Sequence, residues 1–361
     1  MSDVTKQPGA AIPALAELTT LRVGGVPERL IAPTTGAELI EAATGLWSSD
    51  EAWAILAGGS NTVAADDGFD GTVLHVVTRG IERLDAPTGE VRLRVQAGEP
   101  WDDVVRYAVT NGLAGIEALS GIPGSTGAVP VQNVGAYGQE VKSVLVAAEV
   151  LDADSLEVRR LEASDLALTY RSSIFKHGYE GLITAVELRL AQAGADASAP
   201  GSPVAYPQLA AALGVDLGAR VPLEAARESV LALRRSKGMV LDADDADSVS
   251  AGSFFTNPIV PEAVARQLPG DAPRWAVAAD DQPDDGPALV KLSAAWLIEH
   301  SGISRGFALP GSRAAVSGKH TLALTNRGGA TAREILELAT FIQARVSNDF
   351  AINLQPEPTF L

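Results

Sequence analysis

The sequence contains no cysteine. That excludes disulfides, thiolate catalysis, Cys-ligated zinc and iron–sulfur clusters. Histidine is scarce: His75, His177, His300 and His320 are far apart, so no metal site is expected. No stretch approaches the roughly 18–20 uninterrupted apolar residues of a membrane span. The N-terminus lacks the basic start and apolar core of a secretion signal. Both point to a cytoplasmic protein without membrane insertion. Positive charge is also short, with 28 Lys and Arg against 45 Asp and Glu and a net charge of -17. A nucleic-acid phosphate backbone would be repelled by such a chain, although a locally positive pocket can still take a small anion. What remains is the balance of a globular protein, 46% hydrophobic and 20% charged, in 361 residues. That length is enough for two domains or one large one.

The stretch around which the chain is organised is Ser120–Glu140, SGIPGSTGAVPVQNVGAYGQE, where Gly121, Gly124 and Gly127 recur every third residue. Glycine and proline at this density exclude an ordinary helix. Either the segment is a pair of tight turns between strands, or its amides surround an anion with no Cβ in the way. A second glycine turn, Gly58-Gly59-Ser60-Asn61, follows the apolar run Trp53–Ala57. Two such turns about sixty residues apart can close on one nucleotide from two sides, although neither G-x-G-x-x-G behind a first strand nor a P-loop is present.

Periodicity predicts helices over Thr35–Trp47 and Trp101–Asn111 and strands over Thr72–Val77, Val91–Val95, Val144–Leu151 and Leu182–Leu190. Ala191–Pro203, rich in Ala, Gly, Ser and Pro, reads as a domain boundary. Beyond it, Pro222–Lys237 and Lys291–His300 read as helices, the first with Arg234, Arg235 and Lys237 complementing its dipole. Thr321–Asn326 reads as a strand. Thr331 and Glu334 form a capping box before a last helix. The expected organisation is an N-terminal arm over 1–18 and an α+β domain over 19–192 with an internal boundary near 80. A linker or lid over 193–206 and a second α+β domain over 207–361 complete it.

Four residues carry chemistry beside an architectural alternative. Ser253, in AGSFFTNP, is a proton donor in a dry pocket or a turn serine capping its neighbour. Glu357 is held between Pro356 and Pro358, for positioning or in a solubilising tail. Arg171, in TYRSSIFKHG, anchors a carboxylate or faces solvent. Lys237 binds phosphate or complements the helix dipole.

The strings LAGGSNTVAADDGFDGTV, GLAGIEALSGIPGSTGAVPVQNVGAYGQEV, YRSSIFK, AGSFFTNP and LQPEPTFL occur in this order. From about Thr19 onward the chain resembles the UDP-N-acetylenolpyruvoylglucosamine reductase family, in its long-insertion subclass. The resemblance implies an FAD-binding domain of the vanillyl-alcohol-oxidase (PCMH) type, made of two α+β subdomains, and an α+β substrate domain. It implies FAD as cofactor, NADPH as co-substrate and UDP-N-acetylglucosamine enolpyruvate as substrate, in peptidoglycan precursor synthesis by a monomer.

Residue by residue, it places Gly58, Gly59, Ser60 and Asn61 at the FAD pyrophosphate. Gly121, Ile122, Pro123, Gly124, Ser125, Gly127, Gln132, Asn133, Gly135, Ala136 and Tyr137 complete that cradle. Ser253 matches the proton donor, and Arg171 and Glu357 the pair at the enolic intermediate. Tyr206 matches a tyrosine that folds over the sugar nucleotide. Lys237 matches a lysine at the diphosphate and the NADPH phosphates, and Tyr170 and Asn257 match substrate contacts. Two departures stand out. Pro310-Gly311-Ser312-Arg313 interrupt the family's G-G-A-A motif, and Gln355 stands where an acidic residue is usual. Two rivals remain at this stage, an oxidase on the same FAD fold and a non-catalytic flavin or sugar-nucleotide binder.

Overall fold

A computed structural model describes residues 11–277, 282 and 286–361. The chain forms two compact units, each woven from separate segments.

The first unit is built from Pro27–Gly59 and Phe69–Ser236. Three parallel strands, Pro27–Ile31, Phe69–His75 and Trp53–Leu56, lie in that spatial order. Parallel neighbours need a crossover, and the helix Gly36–Trp47 supplies one. Its start matches the sequence: Thr35 Oγ1 accepts from the Glu38 amide at 3.2 Å, and the Glu38 carboxylate accepts from the Thr34 and Thr35 amides. Those bonds hold the Glu38 pKa down at about 2. From Ile81 onward the pairing is antiparallel. Val158–Glu162, Leu145–Asp152, Gly181–Gln192, Glu90–Gln96 and Ile81–Leu84 form one sheet in that order. The apolar side of this sheet joins Leu39, Leu74, Trp101 and Val105 in one core. On its other side, charges alternate in cross-strand rows. Glu187 accepts from both Arg92 and Arg160, and Arg94 holds Glu149 through two bonds of 2.6 Å.

The second unit combines Pro13–Val26, Ser60–Gly68 and Lys237–Leu361. Ser250–Ser253, Ala323–Asn326 and Ala314–Val316 form one antiparallel sheet, and Ile259–Pro261, Leu289–Leu292 and Arg274–Ala276 another. Thr359–Phe360 pairs in parallel with Thr62–Val63. The helix Ala332–Phe350 starts at the Thr331–Glu334 capping box and buries Ile335, Leu338, Ile342 and Val346 against this unit's own core.

Two expectations need correction. Residues 207–236 do not open the second domain; they belong to the first unit. The helix Leu223–Ser236 is fastened there by Arg227, which pairs with Asp102 at 2.6 and 2.7 Å. The 193–206 segment, expected as a linker or lid, is hydrogen-bonded to residues before that helix: Gly201 N donates to Val221 O at 2.7 Å and Val204 N to Ala219 O at 2.9 Å. Lys291–His300 is not a single helix. Leu289–Leu292 is a strand, and the helix begins at Ala294 because the Ser293 hydroxyl accepts from the Trp296 amide. Part of the arm, residues 1–10, lies outside the described residues.

Candidate active site

In the first unit the two glycine turns meet backbone to backbone. A Cβ on Gly58 would lie 2.6 Å from the Gly124 Cα and 2.8 Å from the Ser125 amide, a distance no side chain tolerates. The Gly58 amide donates to the Ser125 hydroxyl at 3.3 Å. Gly59, Gly121 and Gly124 all have positive φ, at 58°, 71° and 108°, the region that favours glycine. Several amides of the long turn are committed internally: Gly121 to Asp102, Thr126 to the Glu99 carbonyl and Gly127 to the Ala97 carbonyl. Among the described residues, the amides of Gly59, Gly124 and Ser125 meet no acceptor, which suits an anion. Beside them opens a cavity of about 120 Å³, lined by Ala57, Ala97, Ser125, Gly127 and Ala128 with Val131 and Phe175 among its larger neighbours. Small apolar walls next to uncommitted amides fit a nucleotide that carries a flat ring on a pyrophosphate. Ile122 and Pro123 bridge the two left-handed glycines, both partly buried.

The rest of the long turn forms a second cluster. Asn133 is buried with φ 41°; its side chain donates to the Thr169 carbonyl and accepts from the Lys142 amide, which pins the turn. Gly135 and Ala136 pair with Gln139–Glu140, and Gln132 is half-buried. Tyr137 has φ 48° and meets Tyr206 edge to face, with ring centroids 5.6 Å apart. Arg171 has φ 54°, donates to the Gly135 carbonyl at 3.4 Å and lies over the Tyr170 ring. Thus Asn133, Tyr137 and Arg171 hold strained backbone in one region, the arrangement expected where side chains must be aimed. Tyr206 is 42% exposed, a large aromatic ring presented to solvent.

The sequence reading missed one member of this cluster. Arg234 lies in the last turn of its helix as expected, but it is also partly buried: burial depresses its pKa, and Tyr137, Asp102 and Arg171 act on its charge. Burial in turn raises the pKa of Tyr137. The available signal was helical spacing, since Arg227 and Arg234 are seven residues apart and so share one face.

In the second unit, Ser253 lies on the strand Ser250–Ser253, paired with Ala323 and following Gly252 at φ 75°. The Glu357 amide donates to the Phe254 carbonyl at 2.9 Å, and the Thr256 amide donates to the Gln355 carbonyl at 3.1 Å. The stiff Pro-Glu-Pro segment is therefore laid alongside the strand that carries Ser253. Asn61 donates to the Glu357 carbonyl at 3.1 Å and accepts from the Thr359 amide, so it anchors that segment from the other glycine turn. The Ser60 carbonyl accepts from Thr20. The Asn257 side-chain oxygen accepts from the Ala294 amide at 3.0 Å, which commits it to a helix N-terminus. Lys237 acts electrostatically on His320, a second residue missed in the sequence. Burial pushes His320 down to about 4, helped by Lys237 and Arg305 and opposed by Glu299.

Residues 27–160 match the FAD binding domain, and residues 244–361 match the C-terminal domain of UDP-N-acetylenolpyruvoylglucosamine reductase. The chain is 56% identical to the UDP-N-acetylenolpyruvoylglucosamine reductase of Leifsonia xyli, an alignment covering 97% of this chain and 98% of the relative. It is 46% identical to the enzyme of that name from Saccharopolyspora erythraea, over 96% of this chain and 94% of the relative. The crystal structure of the Thermus caldophilus UDP-N-acetylenolpyruvylglucosamine reductase shares the fold, with a TM-score of 0.62 and 23% identity over 96% of this chain and 97% of that one. The α+β class with an FAD-binding domain is as the sequence implied. The chain belongs to the UDP-N-acetylenolpyruvoylglucosamine reductase family of FAD-dependent oxidoreductases.

Proposed function

We propose that the protein reduces the enolpyruvyl ether of UDP-N-acetylglucosamine enolpyruvate to the lactyl ether of UDP-N-acetylmuramate, with NADPH as electron donor and Ser253 as proton donor. The observation that carries this reading is the Glu357–Phe254 backbone bond, which lays the Pro-Glu-Pro segment beside the strand of Ser253. FAD, when bound, supplies the carrier that takes a hydride from NADPH and delivers it to the β-carbon of the ether. The Gly58–Asn61 and Gly121–Tyr137 turns would hold its pyrophosphate, with the amides of Gly59, Gly124 and Ser125 uncommitted for that purpose.

The chain's own residues handle the charge and the proton. As the β-carbon gains hydride, negative charge develops on the α-carbon and the carboxylate. Arg171 meets that charge as a fixed cation, preorganised stabilisation of the kind that dominates many rate enhancements. Ser253 gives its proton to the α-carbon; a hydroxyl is a weak acid in water, but transfer to a strongly basic carbanion needs placement above all. Glu357 has the wrong sign for stabilising charge unless it carries or shares a proton, so its role here is to hold one near the developing enol. Tyr206, Tyr170, Lys237 and the amide nitrogen of Asn257 contact the sugar nucleotide, Lys237 as a point charge on phosphate. Both substrates are charged nucleotides, which places the reaction in the cytoplasm, and a single chain carries the whole residue set.

The test is an anaerobic absorbance titration of purified protein, first with NADPH and then with the enolpyruvyl sugar nucleotide. Bleaching by NADPH and recovery only on adding substrate is the expected result. Ser253→Ala should keep bleaching intact and slow recovery by orders of magnitude. Equal loss in both half-reactions would remove Ser253 from the proton-donor role.

A further inference from the structure

The Gly121–Gly124 turn is gripped at both ends by two successive residues. The helix Trp101–Thr110 opens with Trp101, whose backbone amide donates to the Gly124 carbonyl at 3.0 Å. The next residue, Asp102, accepts the Gly121 amide on Oδ1 at 2.6 Å. Gly121 and Gly124 are both left-handed, so the segment between them has little conformational latitude once its ends are fixed. Trp101 is itself fully buried and cannot shift without disturbing the core. Gly124 is also the residue against which Gly58 packs.

The same carboxylate reaches in a second direction. Arg227 donates to both oxygens of Asp102, at 2.6 and 2.7 Å, from a side chain only 14% exposed. Burial alone would raise the Asp102 pKa, but the Arg227 pair and the Gly121 amide outweigh it and the net shift is downward. The pair also answers an electrostatic objection. An unpaired carboxylate under an anion-binding turn would repel the ligand, whereas a bidentate Arg–carboxylate pair is close to neutral as a unit.

We infer that Asp102 is a positioning residue for the cofactor: it holds the Gly121 amide so that the turn presents Gly124 and Ser125 to the pyrophosphate. This rests on the flavin reading of the turn.

The experiment uses the full-length protein stripped of flavin. FAD affinity is read by fluorescence quenching on titration, and hydrogen exchange at the Gly121 amide is read without any flavin. Asp102→Ala should raise the FAD Kd at least tenfold and speed Gly121 exchange. Asp102→Ser, whose hydroxyl still serves the first turn of the helix but does not reach Gly121, stands in if the alanine variant fails to fold. Asp102→Asn keeps an oxygen for the Gly121 amide, so its FAD Kd should stay within about threefold of the parent. A folded alanine or serine variant with Kd and Gly121 exchange within twofold of the parent overturns the inference. So does an asparagine variant as weak as alanine. If instead the parent protein takes up no FAD, the flavin reading fails, while Gly121 exchange still reports whether Asp102 holds the turn.

Discussion

Gly58 lies so close to Gly124, sixty-six positions further along the chain, that a Cβ on Gly58 would fall 2.6 Å from the Gly124 Cα. The contact makes the two glycine turns one structural object, and it is the point at which the flavin reading is most exposed to test.

Gly58→Val should therefore separate the turns. The new side chain meets backbone atoms on Gly124 and Ser125, which cannot rotate away. FAD retained after purification should fall at least tenfold, with far-ultraviolet circular dichroism unchanged. Normal flavin content in the variant would show that this junction is not part of the cofactor cradle.

Tyr206→Ala removes an exposed ring whose recorded aromatic partner is Tyr137. The KM for the sugar nucleotide should rise several-fold while the rate of flavin bleaching by NADPH stays near that of the parent. Stopped-flow measurement of the two half-reactions separates these effects.

Acid should destabilise the protein through two histidines. His75 and His320 are each pushed down to about 4, mainly by burial, with Arg79 assisting at the first and Lys237 at the second. Below the ordinary value near 6.5 the unfolded chain binds protons that the folded chain refuses, so stability falls as pH falls from about 6.5 toward 4. Thermal melts across that window should show Tm dropping, and replacing either histidine by Asn should flatten the dependence.

Glu187→Ala should cost about 2 kcal/mol, the scale of losing hydrogen bonds to charged groups. Glu187 is 5% exposed and lies between Arg92 and Arg160, so its loss leaves two cations without their shared acceptor. Urea denaturation measures it, and Glu187→Gln should fall between the two.

Much of the local structure was legible because its causes are local. The Thr35 and Thr331 capping boxes set two helix starts, and the glycine spacing marked the turns in which Gly121 and Gly124 adopt left-handed backbone. The Ser253 and Glu357 strings were likewise visible, though their backbone link through Phe254 was not. What escaped depends on distant partners. Asp102 and Arg227 are 125 positions apart, and their ion pair is one of the ties that join the 223–236 helix to the first unit. Strands of three or four residues, such as Ala314–Val316 and Leu289–Leu292, are too short for alternation to register. The latter joined the apolar spacing of the helix after it, although Ser293, a preferred N-cap residue type, was the available mark of the break.

The second unit draws on residues 13–26 and 60–68, yet most of its sheets and its long helix come from residues beyond 237. On the ribosome, Leu21, Val23 and Val63 must therefore wait for nearly the whole chain before they find their core. The intervening residues can complete their own unit during that interval. Synthesis order thus leaves the early segments' apolar side chains without their core until the last third of the polypeptide has emerged.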